Sequence, residues 1–361
     1  MAGPLSGSTR PAATVVRVAG LAVLSLAIVT APAFGALRFQ KYQKTIEGEP
    51  VAVFVARDDG HEPRTDWVSL GAGSYPTAGL SVPEMAARAA AAVAVNANFY
   101  REDAPGQQEP IGLVVHEGKI LAVPARSYPS AGVIEGTLQW DKVELRARAG
   151  RKDAGGDARL SKLCRVNSPP PSEDCVSLWT RPLENLGHAI YFAGAPAGLS
   201  QGRFEFKASA HGNWALQWTK SKYKAAKNAV LVLDIRLNGA RLGEKWQKVT
   251  EAVSGSHVLT PENTMPSITH SWALSRQPRT MLGADKEGGT WVAVFDGRRE
   301  NSKGVSLKDG WEFLHRNIAA TWALNLDGGG SSTMIYEGRL VNKPSDTYLR
   351  AVAVGFGAKV K

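Results

Sequence analysis

The segment from Thr321 to Tyr336 constrains this chain more than any other. An apolar run ends in Asn325 and Asp327, three consecutive glycines follow, and then come Ser331, Ser332 and a second apolar run. The first part reads as a buried strand that delivers Asn325 and Asp327 to its end, and the last part reads as another strand. A glycine triplet costs backbone entropy, so a fold keeps one where unusual backbone angles or the close approach of other groups require it. A hairpin turn would need only Asp327 and Gly328. Three glycines and two hydroxyls exceed that need. The amides of Gly328, Gly329 and Gly330, beside Ser331 and Ser332, can form a concavity that accepts an anion, with Asp327 at its lip.

Around this segment the chain has the composition of a globular protein, 43% hydrophobic and 21% charged, enough for a sizeable core. Short apolar runs alternate with turn-rich stretches. Strands are expected over Val51–Arg57, Ile111–His116, Leu138–Ala147, Arg203–Ala208, Ala229–Leu237, Trp291–Phe295, Thr321–Leu326 and Leu349–Phe356. Two helices stand out. Val82–Ala92 follows a Ser81 cap with Pro83 in its first turn, and Ser306–Asn317 carries an apolar face of Leu307, Trp311, Leu314 and Ile318. Many strands and few helices, without regular strand–helix alternation, predict an α+β fold: a mixed, largely antiparallel sheet core with a few flanking helices.

The ends and the middle differ in character. Residues 1–36 hold Arg10 and Arg17, no acidic residue, an apolar run from Val18 to Thr30, and the small residues Ala31, Pro32 and Ala33. This pattern predicts export, by a cleaved signal peptide or by a signal anchor that tethers the rest outside the cytoplasm, whether periplasmic, secreted or membrane-anchored. Residues 37–361 then form a single domain, within which the stretch 150–175, rich in charge, Gly, Ser and Pro, reads as a surface insertion. Cys164 and Cys175 are the only cysteines. In an oxidising compartment they would close a small disulfide loop.

The formal charge is +10, of which Arg10 and Arg17 supply two. A basic exported protein suits anionic glycans, phosphate-bearing polymers or membrane surfaces. Nucleic acid is disfavoured, because the basic residues are dispersed and no basic helix or aromatic–basic ladder appears. Trp214 and Trp218 read as part of a core strand followed by a solvated basic loop around Tyr223, rather than as a sugar platform. His211, His257, His270 and His315 are scattered, so no zinc site and no cofactor is indicated. A hard divalent cation such as calcium, held by Asp oxygens, stays open.

At the glycine segment the chain resembles the phosphodiester glycosidases. The resemblance rests on Ala323–Ser332, on Arg279 and Thr280, on Val294–Arg298, on Ser302 and Gly304, on Gly338–Asp346 with Asn342, Pro344 and Ser345, and on Arg350. A second region, Asn96–Tyr100 followed by Glu109–Gly112 and Gly118, agrees in order; residues 125–250 add little. Two departures touch the expected pocket. Asn98 stands where such proteins often have glycine, and Ser254–His257 stands where they often have a Gly-Gly-x-Pro pattern.

The resemblance implies cleavage of a sugar from a sugar-1-phosphodiester at the anomeric C–O bond. The departing phosphate is already a weak base, so the reaction needs charge stabilisation by arginine and N–H groups more than a strong general acid. A carboxylate is still required, to attack the anomeric carbon or to activate water. Asp327 is assigned that part, with Glu109 and Asp296 as candidate partners. Arg279, Arg298 and Arg350 are candidate phosphate clamps. Asn96, Asn98 and Asn325 are candidates to hold sugar hydroxyls or to order a loop. The competing readings are a glycosidase of non-phosphorylated polysaccharide and a non-catalytic envelope glycan-binding protein.

Overall fold

The computed structural model describes residues 37–58, 65–71, 75, 77–102, 104–124, 127–152, 158–166, 170, 172, 175–179, 186, 188–192, 200–209, 214–219, 230–263 and 270–360. The export segment expected at residues 1–36 lies outside them, as do Tyr223 and His211. No described helix is long and apolar enough to cross a membrane.

The strands Glu49–Asp58, Thr290–Phe295, Arg279–Asp285 and Ala320–Asn325 are near-continuous apolar runs, and the fold explains why. They are the middle of a six-stranded antiparallel sheet, flanked by Leu37–Ile46 and His257–Leu259 and buried on both faces. Side chains alternate across a strand. Val51, Val53 and Val55 therefore face one core, together with Trp291, Ala293, Phe295 and Met281. Phe54 and Ala56 face another, with Val292, Val294, Leu282 and Leu324.

The first of these cores is closed by helix α3 (Leu307–Ile318), through Leu307, Trp311, Leu314 and Ile318. Ser306 caps α3 by accepting the Asp309 N–H at 3.1 Å, and Ala319 ends it in the left-handed conformation. The second core is closed by a five-stranded antiparallel sheet in the order Arg339–Leu340, Met334–Tyr336, Val93–Asn96, Val354–Val360, Thr65–Gly71. Val93, Val95, Met334 and Phe356 of this sheet pack in it. On the far face of that sheet sits helix α1 (Val82–Ala89), with a full capping box between Ser81 and Glu84 and with Val82, Met85 and Ala86 buried. Ala90 turns left-handed, so α1 stops at Ala89, three residues short of the expected Ala92.

The third large sheet corrects the α+β expectation. An eleven-stranded sheet, with its own core of Leu216, Leu231, Leu233, Ile235 and Trp246, is built mostly from the residues between 114 and 254. The class is therefore β-rich, with three helices among the described residues, the third being the single turn Ser271–Leu274 (α2). Trp214 and Trp218 are buried in a strand of that sheet. The stretch read as a surface insertion supplies the end of Thr137–Lys152 and the strand Ala158–Val166, which pairs with it. Ala158–Val166 also runs parallel to Cys175–Trp179, and Cys164 is disulfide-bonded to Cys175 beside that pairing.

Candidate active site

The glycine segment is the crossing between the two facing sheets. Ala320–Asn325 lies in the six-stranded sheet and Met334–Tyr336 in the five-stranded one, so residues 326–333 pass from one to the other. Two backbone bonds tie the crossing to both sides. Leu326 N–H donates to Thr280 O at 2.9 Å, and Asp327 N–H donates to Ala97 O at 2.8 Å. Asp327 is thereby held where the two sheets meet.

Each glycine of the triplet has a separate steric reason. A Cβ on Gly328 would stand 2.8 Å from the Pro278 carbonyl oxygen, and one on Gly330 would stand 2.1 Å from the Asp346 carboxylate. Gly329 adopts φ +63°, the left-handed region, with the Arg298 guanidinium 3.1 Å from where its Cβ would be. Two of the three glycine amides expected to line an anion-accepting concavity bond within the protein instead. Gly328 N–H donates to Oδ1 of Asp327 (2.8 Å), Gly329 N–H to Pro278 O, and the Ser331 and Ser332 N–H groups to Gly328 O and Gly329 O. Those donors are committed inside the protein. The positive charge facing the segment comes from side chains.

Asp327, Arg279, Arg298, Arg350 and the three glycines line one cavity of about 370 Å³, together with Phe99, Trp272 and Gln277. Asp327 opens onto it while the protein surrounds most of its carboxyl group. Burial raises its pKa from 3.8 to about 6, against hydrogen bonds from Ser331 and the Gly328 amide and the attraction of Arg350.

The three arginines differ in what holds them. Arg279 is 3% exposed; its guanidinium donates to the carbonyls of Val305 (3.2 Å), Trp272 (2.5 Å) and Ser275 (3.0 Å), and it lies over the Trp272 ring. Burial, and after it the neighbouring Arg298, lower its pKa to about 10. Arg298, at φ +60°, rests its Nε on Gln277 Oε1 at 2.9 Å. Among the described residues neither arginine is ion-paired with a carboxylate. Arg350 is paired, with Asp346 at 2.5 Å, and reaches Ser331 Oγ at 3.4 Å.

The remaining candidates lie beneath or beside the cavity. Asn96 is fully buried, donating to Asp327 O at 2.6 Å and accepting from Thr280 Oγ1 and Thr333 N–H. Asn325 is equally buried and donates to Ser256 Oγ. Both order the crossing segment from below. Ser332 is buried against Thr280, and Ser331 joins Asp327 to Arg350. Glu109 does not line the cavity; it pairs with Arg101 across the short ladder of Tyr100–Glu102 and Gln108–Pro110. Asp296 also lies outside it, buried and accepting from Asn342 Nδ2 and the Lys343 N–H, which pins the loop leading to Arg350.

The two departures from the family pattern form one buried unit. Asn98 accepts the Ser254 N–H at 3.1 Å and donates to the carbonyls of Ile111 and Leu113, while Ser254 Oγ accepts the Leu113 N–H at 2.7 Å. Neither lines the cavity. Sequence reasoning missed Phe99, Trp272, Gln277 and Asp346. Phe99 and Asp346 fall inside matched segments, and Gln277 lies two residues before Arg279; Trp272 falls in no motif. Among the described residues no group of three His, Cys, Asp or Glu side chains is arranged to hold a metal ion.

The N-acetylglucosamine-1-phosphodiester alpha-N-acetylglucosaminidase of Mus musculus is 41% identical over 68 residues, and that of Homo sapiens is 40% identical over 68 residues. Each alignment covers 19% of this chain and 13% of the relative's own length. In fold, the chain is similar to a hypothetical protein from Synechocystis (TM-score 0.68, 16% identity, 90% of this chain and 62% of that one). It is also similar to the zebrafish N-acetylglucosamine-1-phosphodiester alpha-N-acetylglucosaminidase catalytic domain (TM-score 0.51, 15% identity, 90% and 83%). The phosphodiester glycosidase family model matches residues 200–359, the span that contributes Asp327, the glycine crossing and all three arginines.

Proposed function

We propose that the chain is a hydrolase that releases a sugar from a sugar-1-phosphodiester, with Asp327 as the reacting carboxylate. The observation that carries this reading is the pair Arg279 and Arg298. Two neighbouring guanidinium groups, one of them buried and neither ion-paired among the described residues, border the same cavity as an ionisable carboxylate. Like charges side by side are costly until an anion lies between them. A phosphodiester is such an anion, and guanidinium forks match its oxygens.

The chemistry follows from the charges. Water adds to the anomeric carbon, the C–O bond to phosphate breaks, and the products are the free sugar and a phosphate monoester. The departing oxygen belongs to a phosphate whose second pKa is about 6, so it leaves without a strong acid. Arg279 and Arg298 stabilise the charge that gathers on it. Asp327, with a pKa of about 6, is largely ionised near neutrality, suited either to take a proton from water or to attack the anomeric carbon. Arg350, held by Asp346, keeps the carboxylate and Ser331 aligned.

Of the segments that motivate the polysaccharide alternative, Asn98 and Ser254 are buried outside the cavity lining, while His257 packs against the lining residue Trp272. A context outside the cytoplasm, acting on an envelope or extracellular glycan, remains part of the proposal. It rests on residues 1–36 and on the basic charge of +10. The test pairs a sugar-1-phosphodiester with a neutral alkyl glycoside of the same sugar. Release of free sugar from the diester alone is the expected result; faster release from the neutral glycoside would reject the reading.

A further inference from the structure

Six large hydrophobic side chains are exposed among the described residues, and five of them, Ile111, Trp272, Leu274, Tyr348 and Leu349, line the cavity or are joined to a lining residue by a backbone bond or by chain adjacency. Trp272 lines the cavity itself and lies with Leu274 on the single turn of α2. Ile111 donates its N–H to the carbonyl of the lining residue Phe99 at 2.7 Å, and the Phe99 ring meets Trp272 edge-on. Tyr348 and Leu349 immediately precede Arg350. Single exposed apolar residues are ordinary on a protein surface, but a cluster beside a site marks a surface that is covered when its ligand binds.

Charge and polarity divide this mouth. The guanidinium groups of Arg279 and Arg298 provide for the phosphate, and the apolar side chains begin within a few residues of the cavity lining. A sugar is polar on most of its edges, and the phosphate is charged. The one part of such a substrate that would gain by leaving water against Ile111, Leu274, Tyr348 and Leu349 is the alcohol on the far side of the phosphate. We infer that this alcohol is apolar: the site takes a sugar-1-phosphodiester whose aglycone is a long hydrocarbon chain, laid along the rim. The inference rests on the phosphodiester glycosidase reading above and adds the class of the leaving group.

The test uses two diesters with the same sugar and phosphate, one esterified to methanol and one to decanol, the latter kept below its micelle concentration. Each buried methylene group favours the longer ester, so kcat/KM should be at least tenfold higher for decyl than for methyl. That ratio should fall towards one in Tyr348→Ser/Leu349→Ser and, separately, in Leu274→Ser. Equal kcat/KM for the two esters in the unaltered protein overturns the inference while leaving the hydrolase reading intact. A decyl preference unchanged in both variants, or one seen only when the substrate sits in phosphatidylcholine vesicles, also overturns it. Hydrolysis of neither ester overturns the underlying reading, and the inference falls with it.

Discussion

Replacing Asp327 by asparagine should separate catalysis from stability in a way that depends on pH. A rise in pKa from 3.8 to about 6 means that the folded protein holds this proton more tightly than the unfolded chain does. The folded state then loses stability as pH climbs from about 4 to about 6, and the full cost of the ionised carboxylate, about 3 kcal/mol, is present above pH 7. Asparagine escapes that cost. It also buries an NH2 group where the carboxyl group offers acceptors to the Gly328 N–H and to Ser331, a cost of about 1–2 kcal/mol. Asp327→Asn should therefore be more stable than the parent by roughly 1–2 kcal/mol at pH 7.5, a Tm gain of a few degrees. By pH 4 the gap should close or reverse. Activity on a sugar-1-phosphodiester should drop by about a hundredfold or more. Thermal unfolding at the two pH values, beside initial rates at pH 7.5, reads all of this. A variant that is active, or that is less stable than the parent at pH 7.5, would refute the reasoning.

Three further outcomes follow from the same geometry. The kcat/KM profile should rise with pH through an apparent pKa of about 6, since Asp327 acts when ionised; a profile that falls through 6 would make it a general acid instead. Arg298→Gly relieves a left-handed backbone at φ +60° and the repulsion of Arg279, so stability should hold or rise by about 1 kcal/mol while kcat/KM falls by about ten- to a hundredfold. Calorimetry and steady-state rates check the two halves, and a loss of stability with intact activity would make Arg298 structural. Gly330→Ala would put a methyl group 2.1 Å from the Asp346 carboxylate, displacing it and freeing Arg350, so activity should fall by about tenfold or more; undiminished rates would remove Arg350 from the account.

Much of the site was legible because its chemistry lies in contiguous residues. The run from Asn325 to Ser332 announces a strand end, a crossing and a carboxylate, and the structure makes it the passage between two sheets. The order of strands and the partner surfaces were not legible there. Glu109 looked eligible as a second carboxylate by charge and by its matched segment, yet a local ladder turns it towards Arg101. Asp296 looked eligible for the same reasons and instead holds the loop carrying Asn342 and Lys343. Whether an acid faces a cavity or a neighbouring amide depends on long-range packing that spacing does not encode.

The same limit explains Asn98 and Ser254. They are 156 residues apart, and only the folded sheet makes them hydrogen-bond partners. The α+β expectation failed because residues 125–250 hold more strands than the three expected there, Leu138–Ala147, Arg203–Ala208 and Ala229–Leu237, all of which belong to the eleven-stranded sheet. Strand propensity is decided largely by neighbours across the sheet, which a single chain does not list.

The most direct test of the central claim is hydrolysis of a sugar-1-phosphodiester in water enriched in oxygen-18, with mass analysis of both products. Cleavage of the anomeric C–O bond at the Asp327 cavity places the heavy oxygen in the released sugar and leaves the phosphate monoester unlabelled. Label in a phosphate product would mean that the P–O bond breaks, which contradicts the account.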